Sequence, residues 1–187
     1  MPPPFRSLPI VSERLICRLP REEDVDELCV IFSEASARVY TPATAAPTRD
    51  AVANWAMPRL EERAGRSGLV LATKGSPNEP LGIVEVAFNG FSADLHFLIR
   101  ENSRGKGYMA EALTEIMRQN PDMAPFVATI DAENEPAAKM LSKSGMRACI
   151  LLTGYRVHPM LSSEPRDCLL YSTKPLGAAV GAPTEGR

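Results

Sequence analysis

The residues best suited to chemistry lie in a glycine turn, SRGKGYMAEAL (103–113), which leads directly into a helical pattern. Gly105 and Gly107 allow a ligand to approach the backbone N–H groups at the helix start. Those N–H groups and the positive end of the helix dipole bind anions such as phosphate. Arg104 and Lys106 add two positive charges to the turn. The pattern predicts a phosphate site, although a loop that needs glycine for its own geometry fits the spacing equally well.

Two common nucleotide motifs fit this turn poorly. A P-loop requires GxxxxGK followed by serine or threonine, which the turn does not contain. The dinucleotide fingerprint GxGxx(G/A) is matched by Gly105, Gly107 and Ala110, with Asp131 at the end of the next predicted strand. That fingerprint should follow its strand directly, but here the polar stretch RENSR intervenes. An NAD(P)-binding oxidoreductase therefore stays the weaker alternative.

Hydrophobic periodicity around the turn predicts an α+β (mixed α/β) fold. Three neighbouring strands with short connections predict an antiparallel meander, and the helix after the turn predicts a crossover between two adjacent strands. Residues 33–47 are expected to form an irregular connection. Strands are predicted at 14–20, 69–74, 81–89, 93–99, 125–131, 147–156 and 166–174, and helices at 21–32, 48–67, 108–120 and 134–145. In the helix after the turn, Met109, Leu113, Ile116 and Met117 form an apolar stripe that should face the core.

Length and composition describe an ordinary globular chain. Its 187 residues, 44% hydrophobic and 24% charged, predict one domain with its own core. We expect a flexible N-terminus over 1–11, the domain over 12–174 and a disordered tail over 175–187. A net charge of −2 argues against nucleic acid or an anionic membrane as a partner. The N-terminus lacks the apolar run of a secretion signal, which predicts a cytoplasmic protein.

The cysteines and histidines do not form a metal-binding pattern. The four cysteines contain no CxxC pair, and the chain has only two histidines, so no metal site is expected. Reduced, partly buried thiols fit a cytoplasmic protein. A nucleophilic role for Cys149 or Cys168 is not expected, because the sequence shows no partner histidine.

Taken in order, the segments of the chain resemble the GNAT superfamily of N-acetyltransferases, most closely its ribosomal-protein N-terminal (RimJ/RimL-like) branch. The resemblance covers about 12–174 and rests on SERLICRLPREEDVDEL, LGIVEVAF, ADLHFLI leading into RENSRGKGYMAEAL, DAENEPAAKMLSKSGM and RDCLLYSTK. It implies the GNAT fold, a mostly antiparallel twisted sheet flanked by helices. It also implies transfer of an acetyl group from acetyl-CoA, a cosubstrate, to a primary amine, which can be a protein N-terminus or a small molecule.

The resemblance assigns binding roles to individual positions. The backbone of the glycine turn should bind the CoA pyrophosphate, and the strand before it should offer an N–H group to the acetyl carbonyl. Asn134 should face the pantetheine arm, although an ordinary helix N-cap fits the same residue. The implied cofactor-binding residues are Leu98, Ile99, Arg104, Gly105, Lys106, Gly107, Tyr108, Met109 and Asn134.

Three positions depart from the family pattern. Asn102 stands where the loop usually has Gln or Arg, Ala137 replaces a serine, and Leu141 replaces the tyrosine that many relatives use as an acid. A leaving thiol with a pKa of about 8.5 can depart without such an acid. The departures nevertheless keep open a non-catalytic acyl-CoA-binding or sensor module.

Glu85, Asp94 and His96 are the candidate catalytic bases. Asp94 and His96 share one strand face by alternation, and Glu85 lies on the neighbouring strand. A protein α-amine, with a pKa of about 7.7–8.0, needs only a weak base, whereas a lysine near 10.4 needs much more help. Exposed acids and a hydrogen-bonded structural histidine explain the same residues without catalysis. The acceptor amine and the oligomeric state, for which a homodimer is one alternative, stay open.

Overall fold

The computed structural model describes residues 5–57 and 65–175. Its centre is an eight-stranded sheet with the strand order β1-β2-β3-β4-β5-β6-β8-β7. The strands are β1 (Ile10–Val11), β2 (Leu15–Arg18), β3 (Arg66–Thr73), β4 (Gly82–Phe88), β5 (Ala93–Ile99), β6 (Phe126–Asp131), β7 (Arg147–Arg156) and β8 (Arg166–Ser172). The helices are α1 (Val25–Ser33), α2 (Ala35–Arg38), α3 (Arg49–Ala56), α4 (Tyr108–Gln119) and α5 (Glu135–Lys143), with short 3-10 turns at Glu22–Asp24, Glu101–Ser103 and Pro121–Met123.

The strand pairing confirms the predicted α+β architecture. Strands β3 to β5 form the predicted antiparallel meander with short connections. Strand β2 also pairs antiparallel with β3, although α1, α2 and α3 lie between these two strands in the chain. Strands β5 and β6 run parallel, and α4 supplies the crossover that joins them. Strand β8 inserts between β6 and β7 and is antiparallel to both.

Strands β5 and β6 separate soon after they begin to pair. Only Ala93 with Phe126 and Asp94 with Val127 lie opposite each other. Beyond these pairs β5 continues beside β4, while β6 continues beside β8. The two strands therefore leave a gap at their carboxyl ends, where backbone groups of β5 need partners other than the sheet.

Helices cover both faces of the sheet. On one face, α4 and α5 pack over the larger apolar cluster, which includes Val84, Leu95 and Leu113. On the other face, α1 and α3 pack over a smaller cluster that includes Val70 and Ile83. The predicted stripe of α4 is confirmed, since Met109, Leu113 and Ile116 are buried and Met117 packs against the same core.

The structure corrects two expectations about local secondary structure. The helix predicted at 48–67 ends at Ala56, and residues 66 and 67 already belong to β3. Met57 has left the helical conformation, as a residue before proline tends to do; residues 58–64 lie outside the described ranges. Residues 33–47, expected to be irregular, contain α2.

The segment 5–11 is also packed, where a flexible terminus was expected. Phe5 is buried, and Ile10 is buried opposite Cys17 as part of β1. Burial of two large apolar side chains offsets the entropy lost when this segment is ordered. The tail predicted to be disordered lies outside the described residues from 176 onward. No helix within 5–57 or 65–175 is both long and apolar enough to cross a membrane.

Candidate active site

The gap between β5 and β6 opens into a cavity of about 900 Å³. This volume falls in the range of small-molecule sites. Three groups of residues line it: the end of β5 with the glycine turn and the start of α4; the end of β6 with α5; and residues from 36 to 42 with the segment around the end of β7. The cavity receives side chains from both faces of the sheet, since Phe97 belongs to the α4 side and Leu98 to the α1 side.

The glycine turn has the backbone that the sequence predicts. Gly105 and Gly107 have φ values of +73° and +80°, a left-handed conformation that favours glycine. Gly107 is the N-cap of α4, and its carbonyl accepts the N–H of Glu111 at 3.1 Å. The N–H groups that precede Glu111 have no carbonyl partner within the helix. The turn therefore presents open donors at the positive end of α4, beside the cavity.

The two charged side chains of the turn are placed differently from each other. Arg104 lines the cavity, but its Nε donates to the Ile99 carbonyl at 3.2 Å and its guanidinium lies 3.5 Å from Glu34. The exposed Lys106 side chain does not line the cavity. Backbone donors, rather than free cationic side chains, are therefore the main anion-binding feature here.

Hydrogen-bond directions along β5 show which backbone groups face the gap. Ala93 donates to Pro125 on the β6 side, and Arg100 donates to Leu81 on the β4 side. Because these directions alternate along a strand, Phe97 and Ile99 point their N–H groups into the gap. The same alternation points the Leu98 N–H toward β4.

The contact with the acetyl carbonyl is predicted near Leu98 and Ile99; by this alternation the Ile99 N–H faces the gap and the Leu98 N–H faces β4. The sequence missed Phe97, because alternation gives two possible phases and only the partner strand selects one. Leu98 still contributes its side chain to the cavity wall.

Asn134 is both a helix N-cap and a residue of the cavity wall, so its place is compatible with a structural role and with a cofactor-binding role. Its Oδ1 accepts the Ala137 N–H at 3.2 Å, so it is the N-cap of α5. It also lines the cavity. Capping uses the side-chain oxygen and leaves the amide NH₂ chemically able to donate to a ligand.

The three candidate bases share one face of the sheet, but only His96 lines the cavity. Glu85 lies opposite His96 on the paired strands, and His96 Nε2 is 3.7 Å from Asp94 Oδ2. Glu85 instead accepts a hydrogen bond from Trp55 Nε1 at 2.8 Å and lies 3.7 Å from Arg66. Through its side chain, then, Glu85 is tied to α3 rather than to the cavity.

A second histidine in the cavity wall was missed by the sequence analysis. The side chain of His158 is 1% exposed, and its Nε2 lies 3.5 Å from Asp131 Oδ2. Arg166 Nε donates to the same Asp131 oxygen at 2.7 Å, and the Tyr40 ring meets the imidazole edge to face. No spacing motif joins positions 131, 158 and 166, because only the strand order β6-β8-β7 brings them together. In the sequence, Asp131 fits only the acidic position of a dinucleotide site. In the structure, its carboxylate accepts hydrogen bonds from Arg166.

Burial and neighbouring charge set the protonation of this pair. Burial lowers the pKa of His158 below its ordinary value of 6.5, and Arg156 lowers it further, while Asp131 opposes both. Burial raises the pKa of Asp131, but the hydrogen bonds from Arg166 and from the Glu133 N–H outweigh it, so this pKa is below its ordinary value. At neutral pH the site holds a neutral imidazole beside a carboxylate.

A cluster of metal ligands or either of the two buried thiols would offer chemistry of its own. Within 5–57 and 65–175, no three His, Cys, Asp or Glu side chains are grouped to hold a metal ion. Burial raises the pKa of the Cys17 thiol to about 12 and also raises the pKa of Cys168. Both thiols are therefore protonated and poor nucleophiles at neutral pH.

Comparison with known families shows where this arrangement occurs. The model of the acetyltransferase (GNAT) domain matches residues 14–147. The chain belongs to the GNAT acetyltransferase family. This confirms the superfamily that the sequence motifs indicated.

Alignments with solved structures of the same fold span 80–96% of the other chains. A GNAT-family acetyltransferase from Bacillus anthracis has a TM-score of 0.74 at 20% identity, over 87% of this chain and 96% of its own. Spermidine N-acetyltransferase from Vibrio cholerae, solved with CoA and spermine, has a TM-score of 0.72 at 13% identity, over 84% and 94%. Mycobacterium smegmatis RimJ, solved with CoA-disulfide, has a TM-score of 0.69 at 22% identity, over 84% and 80%. These likenesses show a shared fold. Curated proteins give no significant match.

Proposed function

We propose that this GNAT protein transfers the acetyl group of acetyl-CoA to a primary amine by direct attack on the thioester. The observation that carries the proposal is the glycine turn at the start of α4, which opens on the gap between β5 and β6. The CoA complexes of the spermidine acetyltransferase and of RimJ support it, because both proteins share this fold.

The cofactor fits the turn side of the cavity by its chemistry. A pyrophosphate needs several donors at one point, which the N–H groups at the start of α4 supply. Asn134 can donate to the amides of the pantetheine arm. The N–H groups of Phe97 and Ile99 can polarise the thioester carbonyl and stabilise the oxyanion formed by attack on it.

The acceptor side is formed by residues 36–42, His96 and the segment around His158. An acceptor must reach the thioester with a neutral nitrogen. A protein α-amine, with a pKa of about 7.7–8.0, meets this need more easily than a lysine near 10.4. We therefore propose an N-terminal α-amine or a small-molecule amine of similar basicity as the acceptor.

A non-catalytic acyl-CoA-binding module is the second candidate. Leu141 stands where many relatives have a tyrosine that acts as a general acid. Its side chain is fully buried and cannot donate a proton. Such a module would bind acetyl-CoA and release no thiol. Turnover therefore separates the two candidates, and cofactor binding does not.

Calorimetric titration with acetyl-CoA tests the cofactor site through three variants. Gly107→Glu places an anion among the phosphate donors and should weaken binding about 100-fold or more, close to 3 kcal/mol. Gly107→Ala tests backbone strain alone, since an added Cβ would meet only the flexible end of Arg14, at 3.5 Å. Gly90→Glu is the matched control, because Gly90 has a φ of +91° in an exposed loop away from the cavity.

The outcomes of this titration distinguish a phosphate site from a strained loop. Gly90→Glu should bind acetyl-CoA as the wild type does, and Gly107→Ala should lose far less affinity than Gly107→Glu. Equal affinity of Gly107→Glu and wild type would place the cofactor elsewhere. Thiol release in the presence of amines of different basicity then decides between a transferase and a binding module.

A further inference from the structure

His158 is a buried polar side chain that the fold itself leaves incompletely bonded. Its ring lies in the cavity wall, yet neither ring nitrogen has a hydrogen-bond partner among the residues that the structure describes. A buried nitrogen without a partner destabilises the folded protein, because its lost hydration is not replaced. Such a group calls for an explanation, and a catalytic role is one that its place in the cavity wall favours.

The groups around the ring come from four elements. Asp131 approaches from the end of β6, and Arg166 on β8 holds that carboxylate through two hydrogen bonds. Arg156 acts on the ring from the end of β7. Tyr40 and the Thr41 carbonyl lie beside it after α2, without the geometry of a hydrogen bond. The ring therefore faces one fixed carboxylate, two guanidinium groups and one backbone acceptor.

We propose that His158, held beside Asp131, accepts the proton that the acceptor amine must lose before and during acetyl transfer. This inference rests on the proposed function and adds a catalytic base to it. Asp131 is a positioning residue, because its carboxylate, 3.5 Å from Nε2, favours a proton on that nitrogen and a lone pair on Nδ1.

The proton balance of the reaction closes with this assignment. An ammonium acceptor loses two protons as the bond from nitrogen to the thioester carbon forms and the C–S bond breaks. His158 takes one proton, and solvent receives it after the acetylated product has left the cavity. The second proton neutralises the CoA thiolate that leaves. No oxidant, reductant or metal is required.

His158 is better placed for this role than the other histidine of the cavity. The side chains of His96 and Asp94 are 52% and 44% exposed, so water screens their interaction. The side chains of His158 and Asp131 are each 1% exposed, so a new positive charge on the ring interacts strongly with the carboxylate. The Asp131 carboxylate therefore compensates part of the cost that burial imposes on a charged ring.

Variants of His158 and Asp131 test the proposed base. A base is needed more by an acceptor that is protonated than by one that is neutral, so kcat/KM is compared between the two kinds of acceptor. Thiol release from acetyl-CoA is measured with hydroxylamine, which is neutral at pH 7, and with glycinamide and an alanine-headed hexapeptide, which are substantially protonated. His158→Gln should lose about 100-fold or more in kcat/KM with the two basic acceptors at pH 7, and less than about tenfold with hydroxylamine. The loss should shrink as the pH rises and the acceptors deprotonate.

Asp131→Asn should also lose more kcat/KM with the two basic acceptors than with hydroxylamine, but each loss should be smaller than in His158→Gln. Glu133→Gln is the matched control, because it removes the other carboxylate partner of Arg166 without facing the imidazole. It should retain wild-type turnover. Equal losses for all three acceptors, or none, in His158→Gln would overturn the assignment while leaving the transferase function intact. Absence of thiol release by the wild type with every acceptor would overturn the proposed function and this inference together.

A measurement on the unmutated side chain covers the case in which His158→Gln does not fold. The chain has two histidines, so labelled histidine gives two imidazole signals, and the spectrum of His96→Gln identifies the signal of His158. That ring should be neutral at pH 7. An imidazolium at pH 7 would overturn the role of proton acceptor, since the ring would already carry the proton.

Discussion

Glu111, on the first turn of α4, binds both the backbone and the side chain of Arg14. Its carboxylate accepts the Arg14 N–H at 2.8 Å and Nε at 2.6 Å. The Arg14 guanidinium consequently lies over the glycine turn, where it donates to the Lys106 carbonyl at 3.0 Å and stacks 4.7 Å from the centre of the Tyr108 ring. Burial raises the pKa of Glu111, but hydrogen bonds from Ser12 and Arg14 outweigh it, and the resulting pKa is below the ordinary value. Arg14 thus connects β2 to the proposed cofactor site without lining the cavity.

Arg14→Ala should weaken acetyl-CoA binding by about tenfold, or 1.4 kcal/mol. The variant removes the donor that fixes the Lys106 carbonyl, so the free protein must order the turn at the moment of binding. Calorimetric titration measures the loss. Arg49→Ala is the matched control, because it removes an exposed ion pair with Asp26 far from the turn. If both variants bind as tightly as wild type, the turn keeps its shape without Arg14.

A second prediction concerns the contact between α3 and β3. A Cβ added at Gly68 would lie 2.6 Å from Cζ2 of Trp55, whose indole N–H is bonded to Glu85. Gly68→Ala should therefore displace the indole and lower the free energy of unfolding by about 1–3 kcal/mol. Urea unfolding followed by fluorescence measures this, since Trp55 is the only tryptophan.

The matched control for Gly68→Ala is Gly75→Ala. Gly75 lies in a turn with no atom within 4 Å of an added Cβ. It should change the unfolding midpoint little. A similar loss in both variants would contradict the prediction, because Gly75→Ala lacks the Trp55 contact and the entropy effect of a Gly→Ala change is stabilising.

Local periodicity was sufficient for the elements that build the cofactor side. The stripe of α4 fixed which face is buried, and the two glycines marked where the helix begins. Outside the cofactor side, the prediction of β7 at 147–156 also has the same limits as the observed strand. In each case the information lies within a dozen neighbouring residues, where side-chain direction follows directly from backbone geometry.

Relationships set by distant segments could not be predicted in this way. The phase of β5 depends on its pairing with β4, so the sequence could not choose Phe97 over Leu98. The pairing of β1 with β2 orders a segment whose own composition is typical of a loose terminus. Asp131 and His158 meet because β8 inserts between β6 and β7, a choice of strand order that no local pattern encodes.

The buried His158 should make stability depend on pH in a defined direction. Its pKa in the folded protein is below the ordinary value of 6.5, which an unfolded chain is expected to keep. As the pH falls through 6.5, the unfolded chain binds a proton that the folded protein still excludes. The free energy of unfolding must therefore decrease in this range, by at most about 1.4 kcal/mol per pH unit, until the folded ring also protonates.

The pH dependence of the free energy of unfolding that is assigned to His158 can be separated from the titration of carboxylates. Asp131 has a pKa lowered from 3.8, so its contribution is present at neutral pH and is lost only below about 4. Urea unfolding between about pH 7.5 and 5 should show a decrease in wild type that is smaller in His158→Gln. Asp131→Asn should steepen the decrease, because loss of the carboxylate lowers the pKa of His158 further. A slope unchanged in His158→Gln would assign the acid sensitivity to another group and remove the argument for a neutral buried imidazole.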